Sequence, residues 1–201
     1  MENPILQTIR TRRSIKLNHL KPDPVPQEII DQALEAANWA PSHGETEPWR
    51  FTLFTGEARH NLGQLFAEAY ELSAIESHPF KPETAEAQRA RATQAPVWIS
   101  IGMTPALHPN GDRKKPRDEE IMAVACAIQN LHLALTTHGI CGKWTSGTVA
   151  VHPHIAQAIG LTPPSELLGF FYCGYPAIHW PDSIRQPWQN KITTYGQPNP
   201  N

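Results

Sequence analysis

The longest helical pattern in the chain runs from Asp118 to His138, is rich in alanine and stops at Gly139. Its apolar residues fall on several faces of the helix and not on one stripe. A helix of this kind must be covered by other structure over most of its surface. The sequence therefore predicts a buried central helix around which the remaining elements pack. Its apolar positions are Ile121, Met122, Val124, Ala125, Ile128, Leu131 and Leu135.

Two apolar runs of strand length lie on either side of this helix in the sequence. Ala95–Met103 (APVWISIGM) and Leu167–Cys173 (LLGFFYC) are continuously apolar, which is typical of strands covered on both faces. Trp49–Phe54 and the segment CGKWTSGTVA predict two further, shorter strands. Strands that alternate with helices indicate an α/β or α+β sheet with helices on its faces, but this order alone does not select one fold.

Four more helices are predicted, the first of them at the amino terminus. Asn3 followed by Pro4 is typical of a helix start, so a short helix is expected from Pro4 to about Arg12, burying its leucine and isoleucine side chains. The other three show apolar residues at helical spacing. They cover Gln27–Trp39, Ala58 to about Leu72, and Pro153 to Ile159.

The length of 201 residues suits one domain spanning residues 1–201, because such a chain can bury a substantial core. Residues 73–93 are polar and interrupted by proline, with a short helix expected in ETAEAQRARA, and we interpret them as a lid-like or peripheral segment. Residues 176–201 are rich in proline and predict an extended arm of the kind that often joins subunits.

Charge, cysteine content and hydropathy exclude several classes of function. The chain has 17 basic and 19 acidic residues and a formal charge of −2, which argues against nucleic acid or an anionic membrane as partner. The three cysteines form no CxxC pair, and the neighbouring histidines at 152 and 154 lack further ligands, so no metal site is predicted. Without a leader or a membrane-spanning run, the cytoplasm is the expected location. Cys126 is expected in the core.

The segment TRRSIK offers two guanidinium groups, a hydroxyl and an ammonium group within a few residues. These belong to Arg12, Arg13, Ser14 and Lys16, where the first helix passes into extended chain. Such a group can hold a phosphate. A solvated basic turn explains the same residues equally well, since runs of charge usually face water.

Two further segments could bind a ligand through their backbone or loop shape. In APSHGETEPWRF, residues 40–51, prolines constrain a loop that could frame a flat ligand, although Pro41 could simply end a helix and Trp49 could simply fill the core. In GICGKWTSG, residues 139–147, three glycines allow backbone N–H groups to approach a ligand closely. This second segment lacks both the GxGxxG spacing and the GxSxG elbow.

Taken in order, these three segments and the late LLGFFYCGYPA resemble the nitroreductase family, in particular its short single-domain branch, over roughly residues 4–177. The resemblance implies a sandwich with a mainly antiparallel central sheet flanked by helices. It also implies an intertwined homodimer formed through the long helix, with FMN at the interface. NADH or NADPH would then reduce the flavin, and an electron-poor small molecule such as a nitroaromatic or quinone would reoxidise it by ping-pong exchange at one face.

The resemblance also implies which residues contact FMN. One group holds the phosphate and ribityl chain and places a cation near flavin N1 and O2, where negative charge develops on reduction. A second group reaches the flavin from the other subunit, and a third lies at the ring and its tail. No side chain is expected to act as a nucleophile. The three groups are Arg12, Arg13 and Ser14 with Lys16; Ser42, His43 and Glu45; and Thr145, Ser146 and Gly147.

The chain departs from the family pattern at three positions. Glu45 stands where asparagine is common, Glu47 where glutamine is usual, and Thr145 where the short branch often has arginine. These departures leave open a flavin-binding carrier or regulatory protein without turnover, or a specialised relative that carries out reductive dehalogenation or flavin cleavage. Arg185 and Lys191 in the tail could reach a phosphate, but no motif supports them.

Overall fold

The structure, a computed structural model, describes residues 3–77 and 79–196, and the side chains of all of these except residues 75–77. Its centre is a sheet of five strands in which every pairing is antiparallel, as predicted. The order is β1-β3-β5-β4, and β2 pairs with the same edge of β3 as β1. The strands are β1 (Trp49–Arg50), β2 (Leu53–Phe54), β3 (Val97–Met103), β4 (Cys141–Thr145) and β5 (Glu166–Gly174).

Apart from the end of the third helix, which continues to Ser77, the helices begin and end close to the predicted positions. Asn3 caps the first helix by accepting the N–H of Ile5 at 2.9 Å. The long helix stops at Gly139, whose φ of 69° is the left-handed conformation that glycine adopts easily. The helices are α1 (Pro4–Thr11), α2 (Gln27–Asn38), α3 (Ala58–Ser77), α4 (Pro82–Arg91), α5 (Arg117–Thr137) and α6 (Pro153–Ala158).

Apolar side chains fill both faces of the sheet, which divides the core in two. Successive residues of β3 point to opposite faces, so Ile99 and Ile101 pack among residues of α2 and α5 while Trp98 packs against α3. The Ser100 hydroxyl is buried and accepts the N–H of Thr52 at 2.9 Å, between β1 and β2. The continuous apolar run of β3 therefore reflects a strand covered on both sides.

The segment 73–93 is largely helical. Helix α3 continues to Ser77, and α4 supplies the short helix that was expected in ETAEAQRARA. The end of α4 lies directly on α3, because a Cβ at Gly63 would come within 2.4 Å of the Arg89 carbonyl oxygen. A lid-like role for this segment stays a prediction, and residue 78 lies outside the described residues.

The outer faces of α1 and α5 are uncovered, which corrects two expectations of burial. In α1, Ile5 is 68 % exposed, and Leu6 and Ile9 are also exposed. In α5, Met122 is 64 % exposed and Cys126 is exposed as well, although both were expected in the core. The physical reason is that no described segment of the chain packs against this side of the two helices.

The carboxy-terminal arm begins by folding back onto the amino-terminal segment of the same chain. The Ala177 N–H donates to the His19 carbonyl at 2.8 Å, and the Trp180 indole donates to the Thr11 carbonyl at 2.6 Å. Farther along, Ile184 is 90 % exposed and Trp188 is exposed too. Residues 197–201 of the predicted arm lie outside the described residues. Within the described ranges, no helix is long and apolar enough to cross a membrane.

Candidate functional site

The amino-terminal basic segment lies against the outer edge of β4. Ser14 forms a parallel bridge with Gly142, whose other side pairs with β5. Ile15 is buried on the α3 side, and its carbonyl accepts the Tyr172 hydroxyl at 3.2 Å. Ser14 and Lys16, on either side of Ile15, are exposed. The first and third predicted segments are therefore neighbours in one chain.

Arg12 is held by a histidine that the sequence analysis did not single out. Its Nη1 lies 3.3 Å from Ser14 Oγ and 3.4 Å from His132 Nδ1, and His132 is only 5 % exposed. The Nε2 of His132 lies 3.0 Å from the Arg13 carbonyl oxygen. A carbonyl can only accept, so Nε2 carries the proton and Nδ1 accepts from Arg12. A histidine between Leu131 and Leu133 in the apolar pattern of this helix was the available signal.

The neutral form of His132 is the form that this arrangement needs. Burial first, and the Arg12 charge second, lower the pKa of His132 to about 4, with the bond to the Arg13 carbonyl opposing the shift. The ring also packs edge-on against Phe171, with centroids 5.0 Å apart. His132 thus ties the basic segment to α5 and to the core without adding a charge near Arg12.

Arginines line an open cleft of about 610 Å³ beside this segment. Burial lowers the pKa of Arg12, and the charges of Arg185 and Arg13 lower it further. No carboxylate among the described residues forms an ion pair with Arg12 or Arg185, so these cations repel each other without compensation. An anion with several oxygen acceptors, such as a phosphate, suits these donors. The cleft residues are Ile9, Arg10, Arg12, Gln129, Ser183 and Arg185.

The two neighbouring arginines of the motif do different things. The Arg13 Nε donates to the Pro181 carbonyl at 2.5 Å, and its Nη1 donates to the Arg10 and Arg12 carbonyls at 2.7 and 2.9 Å. Arg13 therefore fastens the carboxy-terminal arm to α1, and its predicted contact with phosphate stays a prediction. Arg185 joins the cleft, whereas Lys191 is not among the cleft residues.

The third segment ends β4 in a turn that begins three residues beyond Gly142, the partner of Ser14. The Thr145 hydroxyl accepts Arg91 Nη2 at 2.9 Å, and the Trp144 indole donates to the Leu168 carbonyl at 3.1 Å. Ser146 and Gly147 follow in an exposed turn. The backbone of this turn is open to a ligand, as the predicted role requires.

The middle loop is fixed at a different place. The His43 ring lies between Lys115, whose Nζ is 2.9 Å from Nε2, and the Glu119 carboxylate, which bonds Nδ1. The Ser42 hydroxyl accepts the N–H of Glu47 at 3.2 Å. Glu45 and Glu47 have positive φ angles of 54° and 42°, a backbone conformation that residues other than glycine and asparagine rarely adopt.

Two independent distances show that the middle loop lies far from the basic segment within one chain. Along α5, His43 is bound to Glu119 and Arg12 to His132. The stretch of helix from Glu119 to His132 is about 20 Å long. Across the sheet, β1 follows the loop at one edge while Ser14 lies beyond the other edge, four strand spacings or about 19 Å away. The first and third segments converge in one chain, and the second does not join them.

Two further histidines and two cysteines have structural surroundings. His152 Nδ1 accepts the N–H of His154 at the start of α6, and His154 Nε2 lies 2.7 Å from a Glu68 carboxylate oxygen. No group of three potential metal ligands occurs within the described residues. The thiols of Cys141 and Cys173 are buried, and burial raises the pKa of each, to about 12 for Cys141. A thiol with so high a pKa is a poor nucleophile.

Residues 9–175 match the model of the nitroreductase family. YfhC of Bacillus subtilis (strain 168), whose name assigns it as an NAD(P)H nitroreductase, is 33 % identical over 92 % of this chain and 91 % of its own length. Iodotyrosine deiodinase 1 of Rattus norvegicus is 28 % identical over 85 % of this chain, which covers 61 % of that protein.

Solved structures show the same fold. A nitroreductase-like family protein from Bacillus cereus superposes with a TM-score of 0.78 at 25 % identity, over 98 % of both chains. The FMN-dependent nitroreductase NfnB from Mycobacterium smegmatis, solved in complex with NADPH, gives a TM-score of 0.69 at 19 % identity, over 96 % of this chain and 97 % of that one. The match to the family model covers most of the chain, and the antiparallel sheet and the order of the motifs agree with it. The chain belongs to the nitroreductase family of oxidoreductases.

Proposed function

We propose that this protein is an NAD(P)H-dependent FMN oxidoreductase that acts as a homodimer. The observation that carries the proposal is the pair Arg12 and Arg185, which has no carboxylate partner in the described part of the chain and lies near Ser14, the residue that pairs with β4 at Gly142. Two such cations suit the phosphate of FMN. The names of YfhC and of NfnB supply the support for a nicotinamide donor and for FMN.

The basic segment and the β4 turn would hold the flavin together. Arg12 and Ser14 would bind its phosphate and ribityl chain, and Lys16, which is exposed and has no ion-pair partner in the described part of the chain, would lie near N1 and O2. Thr145, Ser146 and Gly147 would lie along the ring and its tail. Bound FMN supplies the chemistry, accepting a hydride from NADH or NADPH and passing two electrons to an acceptor in ping-pong order.

The dimer is the part of the proposal that the middle loop supports. In one chain, the loop with Ser42, His43 and Glu45 lies about 20 Å from the arginine cluster along α5. The exposed apolar faces of α1 and α5 offer a surface for a second copy. Pairing two chains through α5 would bring the loop of one chain to the cluster of the other, and would cover Met122 and Cys126.

The test is anaerobic reduction of the purified, FMN-loaded protein. NADH or NADPH should bleach the flavin absorbance, and a nitroaromatic or a quinone added afterwards should restore it with an equivalent amount of acceptor reduced. Restoration by a halogenated phenol, with halide release, would instead indicate dehalogenation of the kind that the name of the deiodinase describes. Absorbance that persists with both donors would contradict the reductase and leave a flavin carrier.

A further inference from the structure

Arg91, the last residue of α4, extends to the β4 turn on the far side of the sheet from Arg12. Its Nη2 donates to Thr145 Oγ1 at 2.9 Å. Its guanidinium carbon lies 5.5 Å from the ring centres of both Phe66 and Trp98, in the range of cation–π contacts. A hydroxyl and two aromatic rings therefore fix the position of this cation at the turn.

The charge of Arg91 has no counter-charge in the part of the chain that the structure describes. Burial lowers its pKa, and the nearby Tyr172 only partly opposes this, while no carboxylate forms an ion pair with it. Arginine nevertheless stays protonated in proteins. Arg89, two residues earlier, contrasts with it, since it is exposed and pairs with Glu86 at 2.6 Å. A partly buried cation without compensation is costly unless a ligand supplies negative charge.

The bond from Arg91 also determines what the Thr145 hydroxyl can do. Because Oγ1 already accepts from the guanidinium, its own hydrogen must point elsewhere. The hydroxyl hydrogen is then free to bond another acceptor, and a positive charge lies beside the oxygen. Arg91 therefore brings to Thr145 a positive charge that the threonine itself lacks.

We propose that Arg91 supplies the flavin site with a positive charge at the β4 turn, and that it orients the Thr145 hydroxyl as a donor to the flavin. This role rests on the proposed function, because it places FMN against the β4 turn. Arg91 is a positioning residue that acts through Thr145. Its charge stabilises the negative charge that flavin gains on reduction, so its loss should make the bound flavin harder to reduce.

The experiment measures the ratio of reduced to oxidised flavin in FMN-loaded protein at equilibrium with a redox dye. Arg91→Gln should lower this ratio about tenfold at a fixed dye potential, the order expected when one charge is removed from a partly buried site. Arg91→Lys should retain part of the effect. Arg91→Gln combined with Thr145→Arg should restore the ratio, because the cation returns at the neighbouring position. Arg89→Gln, which removes an equal charge from the same helix, should change nothing.

Thr145→Val tests the coupling between the two residues. It should lower the ratio by less than Arg91→Gln does. Arg91→Gln combined with Thr145→Val should lower it no further than Arg91→Gln alone, since both changes break the same arrangement. An unchanged ratio in Arg91→Gln, or additive effects in the double variant, would overturn the role of Arg91. If Arg91→Gln does not fold, Arg91→Lys and Thr145→Val decide by the same measurement.

The outcome for Arg91 is distinct from the outcome for the reductase. Equilibration with the dye does not need a nicotinamide donor. If NADH and NADPH do not reduce the flavin but Arg91→Gln lowers the ratio of reduced to oxidised flavin tenfold, the protein would lack the proposed activity and Arg91 would keep the inferred role. If NADPH bleaches the flavin but Arg91→Gln leaves the ratio unchanged, the activity would stand and the role of Arg91 would fall. A wild-type protein that binds no FMN would overturn both.

Discussion

The basic segment and the middle loop were both predicted to contact one flavin, but they are built in opposite ways. Arg12 and Ser14 lie against β4 and are joined to the core through the buried ring of His132. The middle loop lies at the edge of the sheet. Its His43 bonds the half-buried side chains of Lys115 and Glu119, and its Glu45 has a left-handed backbone conformation. The basic segment is thus joined to the core of its own chain, whereas the middle loop is bonded at the edge of the sheet.

This difference shows which parts of a binding site a single chain can organise. The contacts around Arg12 are made by the same core that stabilises the fold, so they form whenever the chain folds. The middle loop gains little from that core, and its backbone is in a conformation that costs energy. Such strain is retained where it serves a contact outside the chain, and a second copy is the partner that we propose.

The largest expected effect comes from mixing two defective variants. Arg12→Ala should lose FMN because it removes a charged donor to the phosphate, and Ser42→Trp should lose it because a bulky side chain fills the space between loop and ring. If the site is shared, a heterodimer of the two variants contains one site with both defects and one intact site. It should hold about half of the wild-type flavin. Differently tagged chains, purified together and measured by flavin absorbance, give the answer.

The same experiment can contradict the idea that the two segments act in different chains. Should the heterodimer hold no more flavin than either homodimer, both segments would act within one chain, and the separation along α5 would have no functional meaning. Arg13→Ala is the matched control for Arg12→Ala, because its guanidinium bonds carbonyl oxygens of the arm and of α1. It should retain most of the flavin.

His132 predicts a pH dependence that belongs to the basic segment alone. The pKa of its ring is about 4 in the folded protein and 6.5 when unperturbed, so the unfolded state binds the proton first as pH falls. The stability it contributes is complete above about pH 6.5 and is lost progressively toward pH 4, by roughly 3 kcal/mol. Urea unfolding of wild type and His132→Gln at pH 7 and pH 4.5 measures it.

His132→Gln should lack most of this loss of stability between pH 7 and pH 4.5, because glutamine does not titrate. His138→Gln, an exposed change at the end of the same helix, should leave the loss as in wild type. Identical pH dependence in wild type and His132→Gln would show that the ring is not held neutral between Arg12 and the Arg13 carbonyl.

Most of the fold could be read from the sequence because its signals are local. The cap at Asn3, the stop at Gly139 and the apolar run of β3 each act within a few residues, and each is present as predicted. Burial is not local. Met122 and Cys126 follow the apolar pattern of α5 as well as Val124 does, yet only Val124 lies under other elements of the chain. Periodicity predicts that a helix face is apolar, but it does not predict whether the same chain or a second one covers it.

The candidate site was predictable as a set of motifs but not as an arrangement. The order of the segments identified the family and named Arg12, Ser14 and Thr145. His132 and Arg91 belong to helices without a motif, and only the packing of α5 and α4 brings them to the basic segment and to the turn. Likewise, the two arginines of TRRSIK look equivalent in the sequence, and their different partners depend on where the carboxy-terminal arm lies.

Glu45→Asn should have the smallest effect, and it tests the strain in the middle loop. Glu45 has a φ of 54°, and asparagine tolerates this conformation better than glutamate does, so the change should stabilise the fold by about 1 kcal/mol. For a chain of this size the midpoint of thermal unfolding, measured without flavin, should rise by about 2–4 °C. Glu35→Asn on the exposed face of α2 replaces the same residue in a helical conformation and should lower the midpoint slightly. A midpoint that does not rise in Glu45→Asn would mean that the loop relaxes in solution. The contrast with the basic segment would then be one of mobility and not of strain.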